Sequence, residues 1–183
     1  METRPATVLL SGGIDSTLCA YMLGRQGYSV QGLFIDYGQS AAKREHRAAQ
    51  EIATSLGIPL TAQALVGGHA RGSGEQTGRN ALLISAGVFL MGQRSGLVVI
   101  GVHAGTAYYD CSPAFIESIG RLVEEQTDGR VVLLAPLLNW SKANVFRAFQ
   151  SAALPLDQTY SCEAGPEPCG VCNSCQDRRA LGC

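Results

Sequence analysis

The chain has 183 residues, 46% of them hydrophobic and 16% charged, with a formal net charge of -1. That length and balance predict one globular domain with a sizeable core and a small appendage, and they give no electrostatic case for holding a long nucleic acid. No run reaches the roughly 18–20 apolar residues of a membrane span, and Met1-Glu2-Thr3-Arg4-Pro5 leads towards a strand, not a signal peptide, so a cytoplasmic chain with no membrane partner is expected.

Thr7 to Leu10 reads as a strand, and Ile14 to Gln26 as a helix that ends at Gly27. Ser29 to Ile35 reads as a second strand, Ser40 to Ser55 as a polar-faced helix stopped by Gly57-Ile58-Pro59, and Leu60 to Leu65 as a short third strand. From Gly67 to Gly78 runs a glycine-rich polar stretch that has little to bury; it is expected to be mobile and to order over a ligand. Arg79 to Arg94 then supplies an apolar helix, Gly96 to Val102 a β-branched strand, Ser112 to Glu125 a helix, and Arg130 to Ala135 a strand. Ser141 to Ser151 is a last helix, capped by Ser141. This βα alternation predicts an α/β fold, a doubly wound parallel sheet with helices on both faces over residues 1–158, with 159–183 as a C-terminal segment packed on it. Ligands in such sheets lie beyond the carboxyl ends of the strands, so the loops after Leu10, Ile35, Val102 and Ala135 are expected to surround a site.

The first of those loops is Ser11-Gly12-Gly13-Ile14-Asp15-Ser16. A small glycine-rich turn that feeds a helix points backbone N–H groups and the positive end of the helix dipole at its occupant, which makes it an anion site. Ser11 and Ser16 add hydroxyls, while no lysine follows as it would in a GxxxxGKS/T nucleotide loop. Such a loop suits a pyrophosphate group held while chemistry proceeds at an α-phosphate. Asp15 would be repelled by phosphate oxygens unless Mg²⁺ lay between them, so a metal–ATP complex is implied. The plainer alternative is an ordinary turn with Ser11 as helix cap.

Seven cysteines are unevenly placed. Cys162, Cys169, Cys172 and Cys175 form a C-x6-C-x2-C-x2-C pattern that can close a tetrahedron around a structural Zn²⁺. An iron–sulfur cluster accepts similar spacings and ranks below zinc because the rest of the ferredoxin run is missing. Cys19, beside Leu18, Met22 and Leu23, reads as core, and Cys183 as a free terminal thiol. Cys111 follows Tyr108-Tyr109-Asp110, and packing ranks ahead of catalysis for it.

The SGGxDS pattern after an N-terminal strand resembles the PP-loop of the N-type ATP pyrophosphatases. In order, Ser11 to Ser16, Asp36 to Gln39, Glu45, Gly78-Arg79-Asn80, Tyr108 to Cys111, Pro136-Leu137 with Lys142, and Thr159 to Cys175 resemble the 7-cyano-7-deazaguanine synthases, often called QueC. The resemblance implies an adenine nucleotide alpha hydrolase (HUP-like) fold and an ATP-dependent carbon–nitrogen ligase acting on 7-carboxy-7-deazaguanine, a deazapurine carboxylic acid. Such enzymes adenylate the carboxylate and let ammonia displace AMP to give an amide. They then activate the amide oxygen with a second ATP and expel it to leave a nitrile.

By the same resemblance, Ser11, Gly12, Gly13 and Ser16 would stabilise departing pyrophosphate, and Asp15 would help hold Mg²⁺. Asp36, Tyr37, Gly38 and Gln39 belong to the nucleotide site, and Arg79 and Asn80 would clamp nucleotide and substrate, with capping of the helix they begin as the plain alternative. Lys142 would contact phosphate or carboxylate, with a solvated lysine as the plain alternative. The family also implies a homodimer.

The chain departs from the family between Leu60 and Gly78, where it is abbreviated, and at His103 to Ser112, which lacks the family's acidic residue and carries Tyr109 and Ser112 in place of proline and arginine. Three alternatives stand beside the synthase. A carboxylated deazapurine is joined to an amine of a protein or other macromolecule; sulfur is transferred to a tRNA base, with Cys111 as the one candidate thiol; or a zinc-pinned module binds nucleotide without catalysis.

Overall fold

Five short apolar runs become the strands β1 (Pro5–Leu9), β2 (Ser29–Asp36), β3 (Leu60–Ala64), β4 (Gly96–Val99) and β5 (Val131–Leu134), in a computed structural model that describes residues 4–65, 74–92 and 94–183. They pair in the order β3-β2-β1-β4-β5, all parallel, with Val8 opposite Gly32 and Thr7 opposite Val98. The helices are α1 (Ile14–Arg25), α2 (Ala42–Leu56), α3 (Arg79–Met91), α4 (Pro113–Gln126), α5 (Lys142–Ser151) and α6 (Asn173–Ala180), with short 3₁₀ turns at Tyr109–Cys111 and Leu156–Gln158.

Strand side chains alternate between faces, and the core divides accordingly. Val8, Val30 and Val99 pack with Leu18 and Leu23 of α1 and Phe146 and Phe149 of α5, while Phe34 packs with Ile52 of α2. Leu33, Ile35 and Val98 instead meet Ile84 and Val88 of α3 and Ile119 and Val123 of α4. The sheet is therefore covered on both sides, and each fully buried aliphatic or phenyl side chain contributes roughly 1.5–3 kcal/mol.

β1 has β2 on one edge and β4 on the other, and the chain leaves β1 towards the α1 face and β4 towards the α4 face. That divergence opens a crevice beyond the carboxyl ends of β1 and β4, where doubly wound sheets bind ligands.

Several expected boundaries are corrected. β1 starts at Pro5 and ends at Leu9, and β4 ends at Val99 instead of Val102. Ile100 still donates to the Leu134 carbonyl at 3.0 Å. Gly101, however, presses on the start of α1, where a Cβ would lie 2.9 Å from the Ser16 nitrogen, so the chain must turn away there. α3 stops at Met91, not Arg94, because Gly92 takes φ +62°. The helix ending at Ser151 is not the last, since α6 follows within the cysteine segment. Of the glycine-rich stretch expected to be mobile, residues 67–73 lie outside the described residues. Among the described residues no helix is long and apolar enough to cross a membrane.

Candidate active site

Residues 10–13 must turn the chain from β1 into α1, and Gly12 does so at φ +79°. A Cβ on Gly12 would lie 2.6 Å from the Ala49 nitrogen and 2.7 Å from the Ala48 Cβ, so α2 sits directly against the loop. Gly13 precedes α1 without a side-chain cap, and the N–H groups of the first turn have no acceptor inside the helix. Ser11 Oγ and Ser16 Oγ lie 3.2 Å apart, and Thr17 Oγ1 donates to the Gly13 carbonyl at 2.7 Å. The result is a braced loop with its donors at the mouth of α1.

Beyond the loop lies a cavity of about 480 Å³. Lys142, the first residue of α5, donates from Nζ to both oxygens of Asp15, at 2.9 and 2.8 Å. His103, in the loop after β4, places Nε2 4.0 Å from Asp15 Oδ2. Its Nδ1 accepts the Gly105 N–H at 2.9 Å, which leaves the proton of the neutral ring on Nε2, facing the carboxylate. Burial holds its pKa below the ordinary 6.5, opposed by the Asp15 charge.

The segment after β2 forms another wall, although not with all four expected residues. Tyr37 and Gln39 line the cavity, whereas Asp36 turns its Oδ1 onto the Gly38 N–H at 2.9 Å and braces the loop. Gln39 accepts from the Tyr37 N–H at 2.9 Å and donates to Glu45 Oε2 at 2.8 Å. Burial raises the pKa of both Tyr37 and Glu45, with Arg79 opposing each shift. Arg79 lines the cavity at the start of α3, and its Nε donates to Asn80 Oδ1 at 3.3 Å.

Asn80 is buried, and its Nδ2 donates to the Asp110 carbonyl at 2.9 Å. Its own N–H reaches Asp110 Oδ2 at 3.2 Å, tying α3 to the turn that carries Cys111. The Cys111 thiol is buried, and burial, with the Asp110 charge, pushes its pKa up to about 11. A thiol held protonated is a poor nucleophile, so the site does not favour sulfur transfer through Cys111. Cys19 is core, as expected.

The cysteine segment closes the remaining side. The Tyr160 N–H donates to the Gly12 carbonyl at 2.9 Å, so the segment is stitched to the anion loop itself. Arg178 bonds Ser161 Oγ at 3.2 Å and also Thr159 Oγ1. The α6 residues Asn173, Ser174, Gln176, Asp177 and Arg178 line the cavity, which sequence reasoning missed by treating the segment as metal ligands alone. The four expected Sγ atoms lie within 4.8 Å of one another, close to the about 3.8 Å sulfur separations that tetrahedral Zn–S bonds of about 2.3 Å would set.

Burial of Cys162 is outweighed by the N–H groups of Cys169 and Ala164, which bring its pKa down to about 6. Cys175 is pushed up to about 12 by burial and its thiol neighbours. Four crowded sulfurs that cannot all ionise together are the donor set a metal cation resolves.

A sequence model of the queuosine biosynthesis protein QueC matches residues 5–67 and 76–181. The chain belongs to the QueC family. A 7-cyano-7-deazaguanine synthase of Campylobacter concisus (strain 13826) is 34% identical over 203 residues, 96% of this chain and 92% of that protein. Another, from Synechococcus sp. (strain CC9311), is 35% identical over 209 residues, 97% of this chain and 92% of that protein. Among solved structures, the U34-tRNA thiolase NcsA from Methanococcus maripaludis, described with its 4Fe–4S cluster, superposes with a TM-score of 0.63 at 13% identity, covering 93% of this chain and 63% of that one. NMN synthetase from Francisella tularensis gives a TM-score of 0.51 at 16% identity, covering 98% of this chain and 72% of that one. These two likenesses establish the shared fold; QueC membership carries ATP use, and this chain's own four-cysteine cluster could hold a metal.

Proposed function

We propose that this QueC-family chain is an ATP-dependent carbon–nitrogen ligase that converts 7-carboxy-7-deazaguanine and ammonia into 7-cyano-7-deazaguanine. The observation that carries the reading is the family match across nearly the whole chain, falling on a cavity whose floor is the Ser11–Ser16 anion loop. A carboxylate is a poor electrophile, and its oxygen attacks the α-phosphorus of ATP as pyrophosphate leaves. Charge then grows on the β- and γ-phosphates, where the first-turn N–H groups of α1 and the hydroxyls of Ser11 and Ser16 stabilise it. Ammonia adds to the acyl carbon, the C–O bond to AMP breaks, and an amide results. A second ATP takes the amide oxygen in the same way; loss of AMP and a proton leaves the nitrile.

Asp15, Ser16, Lys142 and Arg79 are the catalytic set in this reading. Tyr37, Gln39 and the braced Asp36–Gly38 turn shape the nucleotide side, and Asn80 acts through Asp110. Asp15 as the one loop carboxylate suits Mg²⁺, which takes one or two carboxylates and completes its shell with phosphates and water. That ion would screen the phosphate charge, while Lys142, released from Asp15, turns to the phosphate or the acid. Zn²⁺ on Cys162, Cys169, Cys172 and Cys175 would be structural, since sulfur fills all four positions. Residues 1–158 then form the ATP-binding body and 159–183 the metal-pinned segment. Reduced thiols and abundant ATP fit a cytoplasmic setting. A homodimer is supported by the exposed apolar face of α3, where Leu82, Phe89 and Leu90 are 44, 82 and 42% exposed.

The test is incubation with 7-carboxy-7-deazaguanine, ATP and ammonium, followed by mass spectrometry. Nitrile with one AMP released per activation is expected. Amide or adenylate without nitrile refutes the synthase and would revive transfer to another amine.

A further inference from the structure

Four carboxylates line the cavity: Asp15, Glu45, Glu163 and Asp177. Three are already engaged. Asp15 accepts from Lys142 at 2.8 Å, Glu45 from Gln39 at 2.8 Å, and Glu163 from Ser174 Oγ at 2.6 Å and the Gly74 N–H at 3.0 Å. Asp177, half-buried on α6, accepts no hydrogen bond and makes no ion pair with its carboxylate among the described residues. A cavity-facing carboxylate with no donor of its own can accept charge-assisted hydrogen bonds from a ligand that supplies them.

The position of Asp177 in the cavity is informative. His103, with Nε2 4.0 Å from Asp15 Oδ2, and Asp177 of α6 line the same cavity. Because the Asp15–Lys142 pair and Asp177 line one cavity, a flat substrate bound there can meet the pair with one end and Asp177 with the other. The opposite rim is held in register with α6, since Asn173 Nδ2 donates to the Tyr108 hydroxyl at 3.4 Å.

The proposed reaction demands such a polarity. Two planar bicyclic rings must enter one cavity, the adenine of ATP and a guanine-type ring whose acid has to reach the α-phosphate. A guanine-type ring carries a ring N–H beside an exocyclic amino group, two parallel donors that match the two oxygens of one carboxylate. Adenine offers a ring nitrogen lone pair at the same place, which a carboxylate repels. The loop after β4 has no acid from His103 to Ala107, so α6 is the wall that supplies one.

We propose that Asp177 is the specificity-determining residue that reads the ring N–H and 2-amino edge of the deazapurine acid and points its carboxyl group at the anion loop. This rests on the synthase reading given above. It places recognition of the substrate's ring on the metal-pinned segment and activation of its acid on the sheet.

The experiment measures AMP release by the full metal-loaded chain with 7-carboxy-7-deazaguanine and with its analogue lacking the 2-amino group. Wild type, Asp177→Asn and Asp177→Glu are compared. Asparagine keeps the shape and replaces one acceptor oxygen by a donor, which opposes the ring's own donors. KM for the acid should rise roughly 10- to 100-fold in D177N, as loss of a charge-assisted pair implies, with KM for ATP within about twofold of wild type. Wild type should prefer the parent acid over the analogue by about tenfold or more, D177N should lose that preference, and D177E should retain part of it. A D177N enzyme with unchanged KM and undiminished discrimination overturns the role of Asp177. A wild-type enzyme that releases no AMP with the parent acid refutes the synthase reading instead, so the two failures are told apart.

Discussion

Lys142 Nζ bridges both oxygens of Asp15 across 127 residues of sequence, with each side chain about a quarter exposed. A partly exposed pair of this kind adds little to folding, so the value proposed for Lys142 lies in its reach over the anion loop. Replacement by methionine keeps the stem and removes the charge. Lys142→Met should lower kcat for pyrophosphate release by about 10²–10³-fold, the usual effect of removing one group that stabilises developing charge. Unchanged kcat would return Lys142 to the class of solvated lysines.

Glu45 behaves differently, because burial raises its pKa above the ordinary 4.5. The folded chain keeps that proton to higher pH than the unfolded chain does. Stability therefore declines as pH rises from about 4.5 through the folded value, and the penalty is fully in force above it. Glu45→Gln still accepts from Gln39 and carries no charge. The variant should be more stable than wild type at neutral pH, by urea denaturation, with the gap closing as pH falls below about 4.5.

At the scale of elements, the parallel sheet was legible because Ser29 to Ile35 and its fellow runs are apolar, short and separated by helix-period segments. The anion loop was legible for a similar reason, since its chemistry is local: glycines, hydroxyls and a helix start within six residues. What depends on distant backbone was not legible. β4 ends where Gly101 meets α1, a contact that no window around Gly96 to Val102 contains. α6 escaped because none of its residues is buried and it presents no apolar stripe. It is anchored by Cys172, which precedes its first turn, and Cys175 within that turn.

On the proposed reading, this anchoring makes α6 depend on a metal held by the four cysteines. Chelation, or Cys169→Ser, should expose the backbone of residues 159–181 to hydrogen exchange while β1, β2 and β4 keep their protection. AMP release should fall about tenfold or more with it, because one cavity wall is lost. Full activity in metal-free protein would break the link between the cysteine cluster and the site. Elemental analysis should find about one zinc per chain, without the visible absorbance of an iron–sulfur cluster.

For the whole molecule, the two faces of the sheet serve different ends. α1, α2 and α5 pack against one face, and their loops or starts surround the anion loop. α3 and α4 cover the other, and there α3 is apolar on both sides: Ile84 and Val88 face the sheet while Leu82, Phe89 and Leu90 face outward. A helix apolar all round is normally buried. Leu82 and Phe89 are seven residues apart and so share one stripe, to which Leu90 adds its edge, and a second copy presenting the same stripe would cover it by two-fold symmetry. Pairing there would hold the start of α3, and with it Arg79 and Asn80, against a rigid support. Light scattering should give twice the monomer mass, and Phe89→Glu should return the monomer without disturbing the fold, because that ring contributes little to its own core. Since the stripe begins three residues from Arg79, the monomeric variant should also lose affinity for ATP; a monomeric wild-type chain at micromolar concentration would remove the dimer from the account.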